Sequence, residues 1–427
     1  MKSCCSTPVV WVAAALLTPI ACQKQVPDVP PPEVVGVSDL LEDRELQSLG
    51  EKIFFDTDLS TPPGQSCAVC HSPDVGWTGP DEHLNTRGTV YPGAVAHLFG
   101  NRKPNASAYA TLAPSLHAVR DKGTVAFVGG NFWDGRATGW KLGNPAADQA
   151  QGPFLNPVEQ NNPDAATVVR KICQSAYASD LMAVARRLWK LDDICAENTE
   201  LIYGIVALAV AAYEHSPAVN RFSSKYDRYL DGKASLTPEE KRGLDLFEGK
   251  GRCMNCHPSR PGPDGERPLF TDFTYDNLGF PRNPDNPWYG MPEELNPDGV
   301  KWVDTGLAGF LQEVPQYAMY ARENRGKHRV PTLRNVDLRP RSSYVKAFGH
   351  NGCFKSLEMV VHFYNTRDIL PAVGGVPPGR VGKEAWPPPE VAENINRAEM
   401  GNLGLSAEEE AALVAFLRTL SDGYQGE

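Results

Sequence analysis

The chain has 427 residues, enough for two or three domains. Its formal net charge is −10 with an isoelectric point of about 5.5, and it carries no basic stripe. That balance argues against a nucleic-acid-binding protein and suits a solvated acidic surface or a basic partner. Its 37 Pro and 38 Gly favour long connections between helices over a large sheet.

The N-terminus, residues 1–22, reads as an export signal. Lys2 supplies the positive start, and residues 8–20 form an apolar stretch too short to span a membrane. The stretch ends in Pro19-Ile20-Ala21-Cys22, a weak lipobox because Pro19 replaces the usual Leu. Two outcomes stay open: a lipid anchor at Cys22, which is the preferred one, or cleavage to a soluble periplasmic protein. Residues 23–38 are rich in Pro and Val and read as a tether.

Residues 40–55 have amphipathic helical spacing, and residues 164–189 and 199–215 read as strong helices. The apolar run 202–213 is too short to cross a bilayer and reads as a core helix. Thr237, Pro238 and Glu240 spell a capping box with Pro at the first helical position, opening a helix through Phe247. Residues 258–325 are polar and rich in Gly and Pro, and read as one long loop. Ser406 and Glu409 open a last amphipathic helix carrying Leu413, Phe416 and Leu420.

Two pentads carry the chemistry: Cys67-Ala68-Val69-Cys70-His71 and Cys253-Met254-Asn255-Cys256-His257. Paired thiols followed by an imidazole are the attachment signature of a c-type haem, the Cys adding to the vinyl groups and the His taking an axial position on iron. The two pairs lie too far apart along the chain for one zinc ribbon, and a thioredoxin-like pair does not need the His. Two covalently bound haem c groups are therefore expected. The fold class that follows is mainly α, with two cytochrome c-like haem domains joined by long loops and the haem pair near their interface. The boundaries are 39–231 for the N-terminal domain and 232–427 for the C-terminal one. Haem c is attached outside the bacterial cytoplasm, in agreement with the export signal. Beyond the signal and the pentads only Cys173, Cys195 and Cys353 remain. In an oxidising compartment Cys173 and Cys195 are expected to pair between neighbouring helices, leaving Cys353 as a buried odd thiol.

Several further motifs carry a resemblance. They include Phe132-Trp133-Asp134-Gly135-Arg136, Gln149 with Gly152-Pro153, Asn156-Pro157-Val158-Glu159, Val330-Pro331-Thr332-Leu333-Arg334-Asn335 and His350-Asn351-Gly352. Over roughly residues 40–424 the chain resembles the bacterial dihaem cytochrome c peroxidases and their relative MauG, which completes a tryptophan-derived cofactor. The resemblance implies a distal acid at Glu159, with Gln149, Pro153 and Phe132 around it, in the pocket of the first haem. A distal acid suits peroxide cleavage, which needs a group to move a proton from one oxygen to the other. It implies an electron relay at Trp133 between the haems, for which an oxidisable indole is suited.

For the second haem the family's sixth ligand is Met in the peroxidases and Tyr in MauG. Alignment on His350-Asn351-Gly352 puts Tyr364 in that place, with Met400 in Met400-Gly401-Asn402 as its rival. A phenolate favours oxidised iron and a thioether favours reduced iron, so this choice decides how the second haem serves. Some family members block the first haem with a His, for which His97 is the best placed of His83, His97 and His117.

The family also holds calcium between its domains, through the Asn of an Arg-Asn-x-Pro-Thr motif and carbonyls preceding His-Asn-Gly. This chain has Arg102-Lys103-Pro104-Asn105, and an insertion over residues 339–348. Lys103 argues against calcium, with Asn105 as a substitute ligand. The implied activity is peroxide reduction at the first haem, with electrons drawn through the second from a small cytochrome c or copper protein. The rivals are MauG-like oxidation of Trp or Tyr on a partner protein, and a non-catalytic electron carrier. A homodimer is compatible with the resemblance.

Overall fold

The computed structural model describes residues 36–121, 124–196 and 198–426. The export signal, Cys22 and most of the expected tether lie outside them. The described chain is mostly helix and loop, and its strands form only two two-stranded ladders. No helix among the described residues is long and apolar enough to cross a membrane.

The helix Arg44–Phe55 buries Leu46, Leu49 and Ile53, spaced three and four apart on one face. That face packs on the helix Thr199–His215, which is buried from Ile202 to Glu214. The approach is close at one point: a Cβ on Gly50 would lie 1.8 Å from the Ala209 carbonyl oxygen. Only glycine lets the two backbones meet there. The second half repeats the device. In the helix Pro238–Glu248, a Cβ on Gly243 would lie 2.0 Å from the Ala412 carbonyl oxygen of the helix Ala407–Arg418. In each half, the first helix of the pair leads the chain toward a pentad. The expected capping boxes at Thr237/Glu240 and Ser406/Glu409 both form.

Two apolar cores follow from these crossings. One gathers Leu46, Phe54, Val206 and Tyr213, and the other gathers Leu244, Phe247, Val361 and Phe416. Tyr226, on the helix Lys225–Leu230, packs in the second core although it precedes the expected boundary at 231. Its hydroxyl donates to the Ser259 carbonyl, tying that short helix to the C-terminal half.

Three expected elements differ. The stretch 40–55 is broken at Asp43, whose extended backbone ends the helix Val37–Glu42 and whose carboxylate accepts the Leu46 N–H to cap the next one. The stretch 164–189 is two helices, Ala165–Cys173 and Ala178–Trp189, separated by a turn in which Ser175 Oγ donates to the Ile172 carbonyl. The long loop 258–325 contains a helix, Leu307–Glu313, which packs in a third apolar cluster with Leu116, Phe127 and Tyr317.

Cys173 and Cys195 form a disulfide. It joins the end of the helix Ala165–Cys173 to the short turn Ile194–Ala196, which lies beyond the next helix and not on it. Cys353 is half-buried, and burial pushes its thiol well above the ordinary range.

Candidate haem sites and the wall between them

Each pentad opens into its own cavity. In the first, Cys67–Cys70 is one helical turn and the His71 N–H donates to the Cys67 carbonyl. His71 Nδ1 lies 3.2 Å from the Trp77 carbonyl oxygen. A carbonyl only accepts, so Nδ1 carries the hydrogen and the lone pair resides on Nε2, the arrangement an axial ligand requires. Burial lowers the proton affinity of the ring to about 4, keeping it neutral. His257 repeats this: Nδ1 is 2.7 Å from the Phe270 carbonyl oxygen, and burial brings its pKa to about 4.

The first cavity, of about 430 Å³, is walled by Cys70, His71, Phe132, Trp133, Gln149 and Glu159 among others. The helix Pro145–Leu155 supplies Gln149 and ends at Asn156, whose side chain organises the following turn. Asn156 Oδ1 accepts the Val158 N–H, and Asn156 Nδ2 donates to Glu159 Oε2 at 2.8 Å. Burial raises the proton affinity of Glu159, against the opposing pull of the Asn156 bond and the Arg136 charge. Pro153 is not among the residues lining this cavity; its carbonyl accepts the Gln160 N–H. His97 is exposed on a turn and is likewise absent from the lining, so the structure does not bring it to the first site.

Trp133 lines both cavities. Its indole N–H donates to the Lys103 carbonyl at 2.9 Å, and its own carbonyl accepts the Arg329 N–H. Arg102 secures the adjacent residue, bonding Asp134 on one side and Asp304 on the other.

The second cavity is lined by Cys253, Cys256 and His257 together with both rivals for the far ligand, Tyr364 and Met400. Tyr364 comes from the helix Leu357–Thr366, and its carbonyl accepts the N–H of Gly401, next to Met400. Burial holds the Tyr364 phenol well above its ordinary range.

A sequence model of the family described as "Di-haem cytochrome c peroxidase" matches residues 44–235. The methylamine utilization protein MauG of Paracoccus denitrificans is 34% identical over 385 residues, covering 89% of each chain. The chain belongs to the di-haem cytochrome c peroxidase and MauG family. A cytochrome-c peroxidase of Denitromonas iodatirespirans is 27% identical, over 92% of this chain and 84% of that one. Among solved structures, the diheme peroxidase BthA of Burkholderia thailandensis superposes with a TM-score of 0.69 at 31% identity, covering 89% of this chain and 86% of that one. The same peroxidase is also solved as a variant with Met in place of a Tyr.

The residues fit the two haems that the di-haem family implies. Each cavity is lined by a neutral, carbonyl-oriented imidazole and by thiol from its own pentad. Calcium fits poorly. Lys103 Nζ donates to Thr78 Oγ1 at 2.7 Å and to the Pro104 carbonyl, and an ammonium has no lone pair to offer a cation.

Asp304, His328 and His350 also bring three ligand atoms within 4.8 Å of one another. The His328 and His350 rings are stacked, with centroids 3.6 Å apart and planes 10° from parallel, so their in-plane lone pairs do not converge on one ion. The Asp304 carboxylate is already engaged by Arg102 at 2.7 Å through both oxygens.

Sequence reasoning missed Glu214. It ends the apolar face of the helix Thr199–His215, is 4% exposed and lines the first cavity. Burial raises its pKa to about 8. Its signal was a carboxylate directly after an apolar run, in register with the buried face.

Proposed function

We propose that the chain is a dihaem peroxidase that cleaves hydrogen peroxide in the cavity of His71 and draws electrons through the cavity of His257. The observation that carries this reading is the Asn156-braced, half-buried Glu159 carboxyl in the same cavity as His71. A bound haem would supply an iron site for peroxide and a store for oxidising equivalents. Glu159 takes the proton from one peroxide oxygen and delivers it to the other, so that the O–O bond breaks with water leaving. The balance is one peroxide, two protons and two electrons to two waters. The Gln149 amide orients the peroxide, and Asn156 braces the Glu159 carboxylate through its Nδ2. Trp133 passes electrons through the wall that both cavities share. Reductant, a small cytochrome c or a copper protein, docks near the His257 cavity.

His71 and His257 would each hold a haem iron, with Tyr364 as a further ligand of the second and Met400 as its alternative. The two haems sit in domains that divide near residue 231. The protein works in the periplasm after export, with a lipid anchor at Cys22 as the preferred form of attachment.

The test is Glu159→Gln, with stopped-flow spectroscopy on protein that retains both haems. Peroxide cleavage should fall on the order of 100-fold or more; an unchanged rate sinks the assignment.

The 34% identity to MauG supports a second reading, oxidation of Trp or Tyr on a partner protein. Rapid turnover with a reduced cytochrome supports the peroxidase. A long-lived peroxide-oxidised spectrum that a reduced cytochrome does not quench supports the partner-protein reading.

A further inference from the structure

We infer that lysine side chains occupy both halves of the family's inter-haem calcium site in this chain, so that Lys103 and Lys346 replace the calcium. The inference rests on membership of the di-haem family and not on the choice between peroxidase and MauG-like chemistry.

The family's cation draws one side-chain oxygen from the position where this chain has Lys103, and carbonyls from the segment before His350. This chain carries a lysine in each of these two regions. Lys103 Nζ donates to Thr78 Oγ1 at 2.7 Å and to the Pro104 carbonyl at 3.2 Å. Lys346, four residues before His350, is 5% exposed, and its Nζ donates to the carbonyls of Asn335 at 2.8 Å and Leu338 at 3.1 Å. Hard divalent cations are held by six to eight oxygens, backbone carbonyls prominent among them. Here the Pro104, Asn335 and Leu338 carbonyls already receive N–H groups.

Neither lysine has a carboxylate within ion-pair distance among the described residues, and the Asp337 carboxylate only partly offsets the burial of Lys346. They are near enough to repel: burial is the main cause of the lowered proton affinity of Lys346, and the Lys103 charge is the next. A calcium ion placed beside the Lys103 ammonium would be repelled with twice the charge of a second lysine.

One oxygen points the other way. Asn105 Oδ1 is buried without a hydrogen-bond partner and its residue lines both cavities. A single amide oxygen beside two amines falls far short of a calcium shell.

The positions also assign a purpose. Lys103 lines both cavities, and its main chain is the hinge of the wall: its N–H donates to the His350 carbonyl and its carbonyl receives the Trp133 indole. A positive charge there would favour the reduced form of either iron, while the main chain of Lys103 holds Trp133 in place. Lys103 is thus a positioning residue carrying a built-in cation.

The experiment uses the holoprotein, equilibrated with millimolar calcium chloride, desalted and analysed for metals. The inference expects two iron atoms per chain, calcium far below one per chain, and a melting temperature indifferent to EGTA. One retained calcium per chain, or a melting temperature that falls with EGTA, overturns it. The second arm is potentiometry of Lys103→Met and Lys103→Arg. The Met variant should shift both haem potentials downward while Arg leaves both near wild type. Unshifted potentials in the Met variant, or an equal downward shift in Arg, overturn the charge role.

Discussion

Trp133 is fixed to Lys103 by its indole N–H, and that single bond ties an aromatic side chain common to both cavities to a residue that also lines both. The Trp133→Phe variant keeps an aromatic ring but loses the bond and the oxidisable indole. Stability should fall by about 1 kcal/mol, the usual worth of one such bond. Electron transfer between the haems should slow by on the order of 100-fold, about 2.7 kcal/mol of barrier. Rapid-mixing spectroscopy following reoxidation of the second haem after peroxide addition measures it; an unchanged rate removes Trp133 from the path.

Glu214 gives the protein a pH-dependent stability of defined sign. Burial raises its pKa from 4.5 to about 8, so the folded state binds the proton more tightly than the unfolded one. Its stabilising contribution is complete below 4.5 and is lost as pH rises through about 8. The full swing is bounded by about 5 kcal/mol. Urea midpoints measured across this range should fall for wild type, and Glu214→Gln should flatten the slope. Parallel slopes would assign the dependence to other groups.

The choice between Tyr364 and Met400 is resolved by two conservative variants. Tyr364→Phe should change the near-infrared and visible spectra of the second haem and raise its potential, since a phenolate favours oxidised iron. Met400→Leu should leave both spectra as in wild type. A methionine-type band in wild type that disappears in Met400→Leu reverses the assignment.

Gly50→Ala should be poorly tolerated. The added Cβ meets the Ala209 carbonyl oxygen at 1.8 Å, and backbone cannot swing aside as a side chain can. A cost of about 3 kcal/mol is expected. Gly243→Ala, facing Ala412 at 2.0 Å, should cost a similar amount. Thermal unfolding of both variants checks this; melting temperatures within a degree of wild type would contradict the packing.

The disulfide between Cys173 and Cys195 closes a loop of 22 residues. Cys173→Ser with Cys195→Ser should cost about 3 kcal/mol from the restored freedom of the unfolded chain. Haem content should be unaffected, because neither residue lines either cavity.

What could be read from the sequence was what local chemistry dictates. The pentads are covalent requirements, and the boxes at Thr237/Glu240 and Ser406/Glu409 close within four residues. The Cys173–Cys195 pair was reachable because only three thiols were left over. Asp43 escaped notice because apolar spacing continues across it, while its carboxylate caps the helix that follows. Glu214 was hidden for the opposite reason, as a charged residue in the register of a core face. The likeness of the two halves was equally hidden, since each contributes one glycine whose meaning depends on a backbone more than 150 residues away. Tyr364 and Met400 line one cavity from neighbouring segments, which is why alignment alone ranked them without separating them.

The paired contacts Gly50–Ala209 and Gly243–Ala412 divide the molecule between what is shared and what is free to diverge. Each clasp lies in the helices that deliver a pentad, whereas Glu159, Tyr364 and Met400 come from turns, loops and a separate helix. On the proposed reading, attachment and reactivity are thus written in different parts of the chain. A new reaction can be installed by exchanging the far-side segments while the grip on the cofactor, and its delivery during assembly, stay untouched.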